Sequence, residues 1–557
     1  MASSKAFTKS LLLYNKILLR RLKSLIIRTP PPPPPPPNLL PPEPETTTET
    51  AAAATTTAIC SVEGGLLMSP STFPYFMLVA LEAGGLLRSL LLLLLYPLLR
   101  LLPQTLATKS MVLISFAGVR KDAFRLAGRA VMPKLFLDDV SAEVFQQITA
   151  MAGARRQGRR RCVCVSGMPR AMVEPFLKEY LGVDEVVAPE LREMGGYYLG
   201  VLEEEGKIME DLDLEEVIWG KKGGPGQGVI GIGGGVEFSY GRQIFQKYCK
   251  EVYAPPESTR RRRGALHPRL YPKPLIFHDG RTAFRPTPAA TLAMFLWLPL
   301  GAPLAVLRTA VFLLLPFSLS VPFLAALGMH NRMIPSSSSS PPEPEKKKKE
   351  EKKGNLFACN HRSLLDPLCV SAAAGRADLA AATYSISRLS ELLSPIPTFR
   401  LTRDRAADRA AMQAQLSASS GRPGGLVVCP EGTTCREPYV LRFSPLFAEL
   451  DGDVVPVALH LAVDMFHGTT AGGRKILDPL YLLMNPVPSY LVQFLDPVQC
   501  TIKDDDDDGG VDARHVANEV QRRVAEALGY ERTGLTRKDK YLILAGNDGV
   551  VGVKEKT

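Results

Sequence analysis

The sequence has no CxxC pair, and its nine cysteines are scattered, only Cys162 and Cys164 lying close together. That spacing excludes finger or ribbon zinc sites and dithiol redox motifs, and it fits buried thiols facing a reducing compartment such as the cytosol. Aromatic residues make up only 7%, and nowhere do they interleave with basic residues as in an RNA-binding signature; no basic heptad segment occurs either. Nucleic acid is therefore not an expected partner, despite a net charge of +11. Histidines number only seven, so few side chains are suited to acid–base chemistry at neutral pH.

What is present is unevenly spread. The 46% hydrophobic content is ordinary for a soluble protein, but the apolar residues gather into a few long runs, which points to a membrane protein. The surplus of 67 Lys and Arg over 56 Asp and Glu favours anionic lipid surfaces, phosphates or coenzyme A as partners. A chain of 557 residues exceeds one ordinary core, and two domains fit it best.

Residues 1–57 open with a basic, acid-free stretch, run into eight prolines ending at Pro37 and continue as low-complexity text. Two readings stay open for them, a targeting or membrane-surface segment and a disordered tail. From 58 to 270, β-branched runs such as VCVCVS alternate with helical periods such as AMVEPFLKEYL, the pattern of a parallel-sheet α/β domain. Leu86 to Pro103 nearly spans a bilayer in length, but Arg88 and Arg100 make it an interfacial or buried helix instead. Between 286 and 330 the text is densely apolar with Arg308 as its one charge up to Leu327. Pro299, Pro303, Pro316 and Pro322 interrupt it, and two short helices in a transmembrane or re-entrant hairpin are expected. Residues 336–354 form a charged low-complexity loop, 355–530 a second α/β domain, and 531–557 a C-terminal tail. The run Asp504 to Asp508 reads as a solvated loop, since adjacent acids have no reason to converge on a metal.

In the second domain, FACNHRSLLDPL places His361 five residues before Asp366, directly after an apolar run that reads as a strand. Alone that spacing decides nothing. It is followed by FRLTRDR, with Arg400, Arg403 and Arg405, then by LVVCPEGTT, a polar loop after a β-branched strand, and then by VVPVAL. An imidazole held by a carboxylate can deprotonate a hydroxyl, and clustered guanidinium groups suit a phosphomonoester.

These four blocks, in this order, resemble the glycerolipid acyltransferases over roughly residues 355 to 495. The resemblance implies transfer of a fatty acyl group from acyl-CoA, with His361 as the base and Asp366 as its orienting acid. It also implies that Arg400, Arg403 and Arg405 bind the acceptor phosphate, that Glu431 of the PEGTT loop contacts the acceptor, that backbone amides near Gly432 approach the phosphate or the thioester oxygen, and that Thr433 belongs to the same substrate site. Where the family commonly has PEGTR, this sequence has PEGTT, so Arg436 or Arg442 is a substitute candidate. No cofactor and no metal are implied, acyl-CoA being a substrate.

The first domain resembles the haloacid dehalogenase-like phosphatase domain that precedes the acyltransferase in the land-plant glycerol-3-phosphate acyltransferases. FPYFMLVALEAGGLLR, VSGMPRAMVEPF, IFHDGRTAFRPTP and FLWLPLG carry that likeness. An active domain of this kind opens with DxDGT; here SVEGG puts Ser61 at the nucleophile, Glu63 at the second aspartate and Gly65 at the threonine. Ser166 is left as a phosphate-contacting hydroxyl, and GIGGGVEFS stands where the metal-binding acids belong. The domain is expected to be phosphatase-inactive, leaving lysophosphatidic acid as the product. The expected whole is two α/β domains, the first Rossmann-like, joined by a membrane hairpin. Its partners are acyl-CoA, glycerol 3-phosphate and the lipid bilayer, and its home is the endoplasmic reticulum membrane or, alternatively, a mitochondrial membrane. A lysophosphatidic acid acyltransferase and a non-catalytic membrane scaffold are the rival readings.

Overall fold

The computed structural model describes residues 56–545 apart from 70, 154–159, 204–213, 220–228, 234–237, 254–263, 335–355, 385–390, 418–423, 451, 473–474 and 501–511. The N-terminal segment before Thr56, the 336–354 loop, the Asp504–Asp508 run and residues 234–237 of GIGGGVEFS lie outside the described residues.

In the first domain, β1 (Thr56–Ser61), β2 (Arg160–Val165) and β3 (Glu185–Val187) precede a two-stranded hairpin, β4 (Leu191–Met194) with β5 (Tyr197–Leu202). β6 (Val229–Ile232) and β7 (Glu251–Tyr253) complete a sheet of order β3-β2-β1-β6-β7. Every ladder in that sheet is parallel. Parallel strands need both faces covered, which explains the apolar text of TTAICS and RRCVCV. One face packs against Phe76, Phe136 and Phe176, the other against Ile218, Tyr240 and Ile244. Helix α1 (Phe73–Glu82) is buried from Phe73 to Ala80, whereas α2 (Leu86–Leu94) buries only Ser89 and Leu92. The Arg88 guanidinium donates to the Ser115 carbonyl at 3.0 Å and ties α2 onto α3 (Gln104–Phe116). Helix α4 (Lys121–Ala130) follows.

The apolar stretch does not break into two short helices. It forms one 27-residue helix, α5 (Pro288–Leu314), and a ten-residue helix, α6 (Phe317–Ala326). Pro299 and Pro303 lie inside α5 without ending it; the stop is Leu315, whose φ of −110° and ψ of 140° suit a residue preceding proline. At 1.5 Å per residue α5 is about 40 Å long, and among the described residues it is the one helix long and apolar enough to cross a membrane. Thr291, Met294, Gly301, Ala305, Arg308 and Phe312 form its buried stripe. Fully enclosed Arg308 donates to the carbonyls of Leu483, Asn485, Leu327 and Pro486.

The second sheet begins earlier than expected, with β8 (His330–Ile334) ahead of the loop at 336–354. β9 (Leu356–Cys359), β10 (Leu379–Thr383), β11 (Thr398–Arg400) and β12 (Gly425–Val428) are parallel neighbours. β13 (Tyr439–Val440) lies apart; β14 (Gly452–Ala462), β15 (Ser489–Phe494) and β16 (Val498–Cys500) finish the sheet, ordered β11-β10-β12-β9-β14-β15-β8 with β16 beside β14. Helix α7 (Asp366–Ala374) follows β9, and α8 (Ala513–Leu528) buries Val516, Val520 and Val524 on the core.

Nor is the chain after 530 a mere tail. β17 (Glu531–Arg532) pairs with β13, and α9 (Arg537–Ala545) packs against α4 of the first domain. Ala130, Phe277, Cys435, Leu441 and Leu544 share one small core across the junction. Ion pairs between Lys134 and Glu437 at 3.2 Å and between Arg281 and Asp478 at 2.5 Å join the same faces. The two domains are therefore braced by both apolar contact and buried charge.

Candidate active site

His361 stands just past the C-terminal end of β9, and the PEGTT turn just past the end of its parallel neighbour β12. Asn360 splints this edge by exchanging two hydrogen bonds with the Leu459 backbone on β14, at 2.8 and 2.9 Å. The chain then turns so that Asp366 becomes the first residue of α7, with Pro367 set where its missing N–H costs nothing. Its enclosed carboxylate accepts the amides of Arg362 at 2.5 Å and Ser363 at 2.9 Å and the Tyr490 hydroxyl at 3.1 Å. The same group meets His361 Nδ1 at 2.9 Å. The five-residue spacing thus works because one turn and a helix start bring the carboxylate back under the ring.

The contact with the carboxylate places the ring proton on Nδ1, which leaves Nε2 as the basic nitrogen. Burial opposes an imidazolium here, but the Cys429 thiol and the Asp366 carboxylate outweigh it and hold His361 well above its ordinary pKa. Cys429 is itself pushed well up by its contact with the Cys359 thiol, 3.6 Å away, and by burial. It is therefore a neutral thiol. His361, Asp366 and Cys429 have donor atoms within 4.8 Å of one another. Asp366, however, already accepts two amides and a hydroxyl, so the cluster is built as an acid–base pair.

The PEGTT turn does not do what the resemblance implies for each residue. Glu431 points inward, only 4% exposed, and accepts the His361 amide with one oxygen and the Leu441 amide with the other, each at 3.0 Å. Burial pushes it up to about 7 against the pull of those amides and of His361. Both oxygens are thus engaged in holding the histidine loop. Gly432 has φ of +65°, a conformation that favours glycine, and its amide is spent on the Cys429 carbonyl at 3.1 Å. Thr433 is buried beside it. Glu431→Gln would set an NH2 group against a backbone N–H, leaving an amide unpaired at about 1–3 kcal/mol. Turnover should fall roughly tenfold to a hundredfold with KM for the acceptor unchanged; a raised KM at full turnover would show direct acceptor contact instead.

The arginines share the C-terminal edge of the sheet, but at a distance from the base. β11 lies three strands from β9, which is about 14 Å at the usual strand spacing. Arg400 and Arg405 are exposed and paired with Glu391 and Glu449 respectively. Arg403 is exposed at φ of +72°, and its guanidinium has no carboxylate partner among the described residues. Buried Asp408 fixes this loop by accepting the amides of Thr402 and Arg403. Of the two substitute candidates, Arg442 is exposed, and Arg436 is enclosed at the domain junction, where it meets Thr469 at 3.2 Å and Asp279 at 3.5 Å. Arg362, which the motif reading passed over, donates to the carbonyls of Cys435, Glu437 and Arg436 and so binds the two loops together.

At the head of β1, the anion cradle expected of a phosphatase is filled by the protein itself. The Glu63 carboxylate accepts the Ser166 hydroxyl at 2.7 Å, the Met168 amide at 3.1 Å and the Gly167 amide at 3.3 Å. Burial raises its pKa, with Ser166 and the amides pulling back. Ser61 donates to the Glu63 carbonyl at 2.6 Å. The loop is closed so tightly that a Cβ on Gly65 would sit 2.4 Å from the Ser61 carbonyl oxygen, leaving no room for threonine. Ser61→Asp alone should therefore release no inorganic phosphate from a phosphomonoester above background, because Glu63 still holds the cradle. Measurable release would show the cradle to be open.

A Rossmann-like domain with its anion site plugged, followed by a sheet that presents a carboxylate-held histidine at its C-terminal edge, defines a two-domain acyltransferase. Residues 57–255 match the family described as glycerol-3-phosphate acyltransferase RAM2-like, HAD-like domain, and 343–460 match the acyltransferase family. The chain is 47% identical over 500 residues to probable glycerol-3-phosphate acyltransferase 2 of Arabidopsis thaliana, covering 89% of this chain and 90% of that one. It is 41% identical over 504 residues to glycerol-3-phosphate acyltransferase RAM2 of Petunia hybrida, covering 88% and 98%. Among solved structures, the 1-acyl-sn-glycerophosphate acyltransferase PlsC of Thermotoga maritima aligns at 15% identity and a TM-score of 0.23, over 43% of this chain and 92% of that one. The chain belongs to the plant glycerol-3-phosphate acyltransferase family.

Proposed function

We propose that this protein transfers a fatty acyl group from acyl-CoA to a hydroxyl of glycerol 3-phosphate and releases lysophosphatidic acid with its phosphate intact. The observation that carries the reading is the His361 Nδ1 contact with fully buried Asp366, which leaves Nε2 to take a proton. As the glycerol oxygen attacks the thioester carbonyl, its proton passes to Nε2. The tetrahedral adduct then expels the coenzyme A thiolate, and the imidazolium returns the proton to sulfur. No acyl-enzyme is needed because the thioester is already activated. Arg403, together with whatever Arg400 and Arg405 yield when a phosphate displaces their carboxylates, is the acceptor site this reading favours.

The acyl donor meets the site at a bilayer, which the acid-free apolar helices α5 and α6 support. The endoplasmic reticulum membrane is the proposed location, and membrane or extracellular cutin-type lipid the destination of the product. With labelled glycerol 3-phosphate and a panel of acyl-CoA donors, the protein should yield a product that keeps its phosphate, and His361→Ala should yield none. Full turnover by His361→Ala, or preference for lysophosphatidic acid as acceptor, would overturn the assignment.

A further inference from the structure

Helix α2 is a surface element whose leucines face outward. Leu87 is 86% exposed, Leu94 68%, and Leu101, just beyond the helix, 82%. Large contiguous apolar patches of this kind mark an interaction surface in a folded protein. From residue 83 to 121 the chain has no acidic residue while it carries Arg88, Arg100, Lys109, Arg120 and Lys121. Arg88 is spent on the Ser115 carbonyl and Lys121 pairs with Glu193 at 2.6 Å, but Arg100 and Lys109 are exposed. Exposed leucine beside such cations, with no acid in the segment, matches an anionic bilayer and not a second protein of mixed charge.

This face continues into α5. The two helices touch, and Leu296, Leu300 and Leu314 of α5 are likewise exposed. The opposite stripe of α5 is docked along its length on the acyltransferase domain. Trp297 Nε1 donates to the Met484 carbonyl at 2.7 Å, and Arg308, eleven residues on, holds the carbonyls of Leu483 and Asn485. A helix bound this way cannot cross the hydrocarbon without drawing the neighbouring loops and sheet in with it, where their backbone polar groups would go unsatisfied.

We infer that the chain is monotopic: α2 of the first domain and α5 and α6 lie side by side in one leaflet, so that both domains rest on the same membrane surface. The inference rests on the reading that the protein works at a bilayer, and it changes the expected spanning hairpin into an in-plane platform. It also gives the inactive first domain a task, as half of the membrane-contacting face.

The test uses the full chain and vesicles of phosphatidylcholine and phosphatidylserine whose acyl chains are brominated near the headgroup. Leu94→Trp should lose roughly half of its added fluorescence relative to plain vesicles. Gln243→Trp, on the helix Ser239–Tyr248 that covers the other face of the first sheet, should not change. The triple variant Leu87→Asp, Leu94→Asp, Leu101→Asp should bind vesicles roughly tenfold more weakly or worse while keeping its turnover in detergent micelles. Protease outside sealed microsomes should leave no protected fragment. If the parent protein fails to bind vesicles, the membrane reading falls with this one. If it binds while Leu94→Trp is unquenched and the triple variant binds as the parent does, or if a protected fragment appears, the in-plane platform alone is overturned.

Discussion

Asp366→Asn should lower turnover by about four orders of magnitude while leaving the protein folded, the scale seen when a triad carboxylate is replaced by its amide. The carboxylate now accepts two amides, one hydroxyl and the imidazole Nδ1 proton. An amide in its place has one accepting oxygen and an NH2 that must point either at a backbone N–H or at the ring. In the second case the ring proton moves to Nε2, and the base faces the acceptor with no lone pair. The pH profile gives an independent reading. His361 must be neutral to act, and its pKa is held above the ordinary imidazole value, so wild-type kcat/KM should fall as pH drops through a midpoint above ~6.5. Without the carboxylate, burial disfavours imidazolium with only the Cys429 contact left to oppose it, so the residual activity should persist to lower pH. The linked stability has the opposite slope. Because the folded pKa is raised, the pair stabilises the fold fully below the unfolded imidazole value and loses that contribution as pH rises through the folded pKa. Turnover within a factor of ten of wild type would show that Asp366 is structural only.

The His361–Asp366 contact is legible because it is local: a strand, a five-residue spacing and a helix start with proline fix the geometry within one segment. The α/β alternation was legible for the same reason, since short β-branched runs and helical periods each declare themselves over a few residues. The inward turn of Glu431 is not legible for want of its distant partner. Nothing in PEGTT says that its carboxylate will turn back to the amides of His361 and Leu441, and sheet order decides that, through the pairing of β12 with β9. Tyr490, which donates to Asp366 from more than a hundred residues away, left no local trace at all. The proline count in α5 misled in another way. Proline breaks a helix by clash and by a lost hydrogen bond, but packing and apolar surroundings outweigh that cost at Pro299 and Pro303, and the break falls at Pro316. The clustering of Arg400, Arg403 and Arg405 was plain, while their pairing with Glu391 and Glu449 depends on tertiary contacts that spacing does not encode.

Arg308→Leu is expected to be the most damaging change outside His361 and Asp366, destabilising the fold by about 3–5 kcal/mol. The arginine is fully enclosed, and its terminal nitrogens serve four carbonyls, those of Leu483, Asn485, Leu327 and Pro486. Leucine fills part of the volume but leaves those acceptors buried without donors, which costs more than the arginine contributes as a charge. Arg308→Lys keeps the charge yet concentrates three donors on one atom, which cannot span four acceptors, and should fall between. The effect reaches the active site through a short path. Asn485 also accepts the amides of Met465 and Phe466 and donates to the carbonyls of Phe466, Tyr481 and Leu482, so it locks the turn that leads into β15, and β15 carries Tyr490 onto Asp366. Loss of Arg308 should therefore lower both the thermal midpoint in micelles and the turnover of the folded fraction. Arg308→Leu protein with a wild-type midpoint and wild-type turnover would show that α5 is merely attached to the acyltransferase domain and does not hold its base in place.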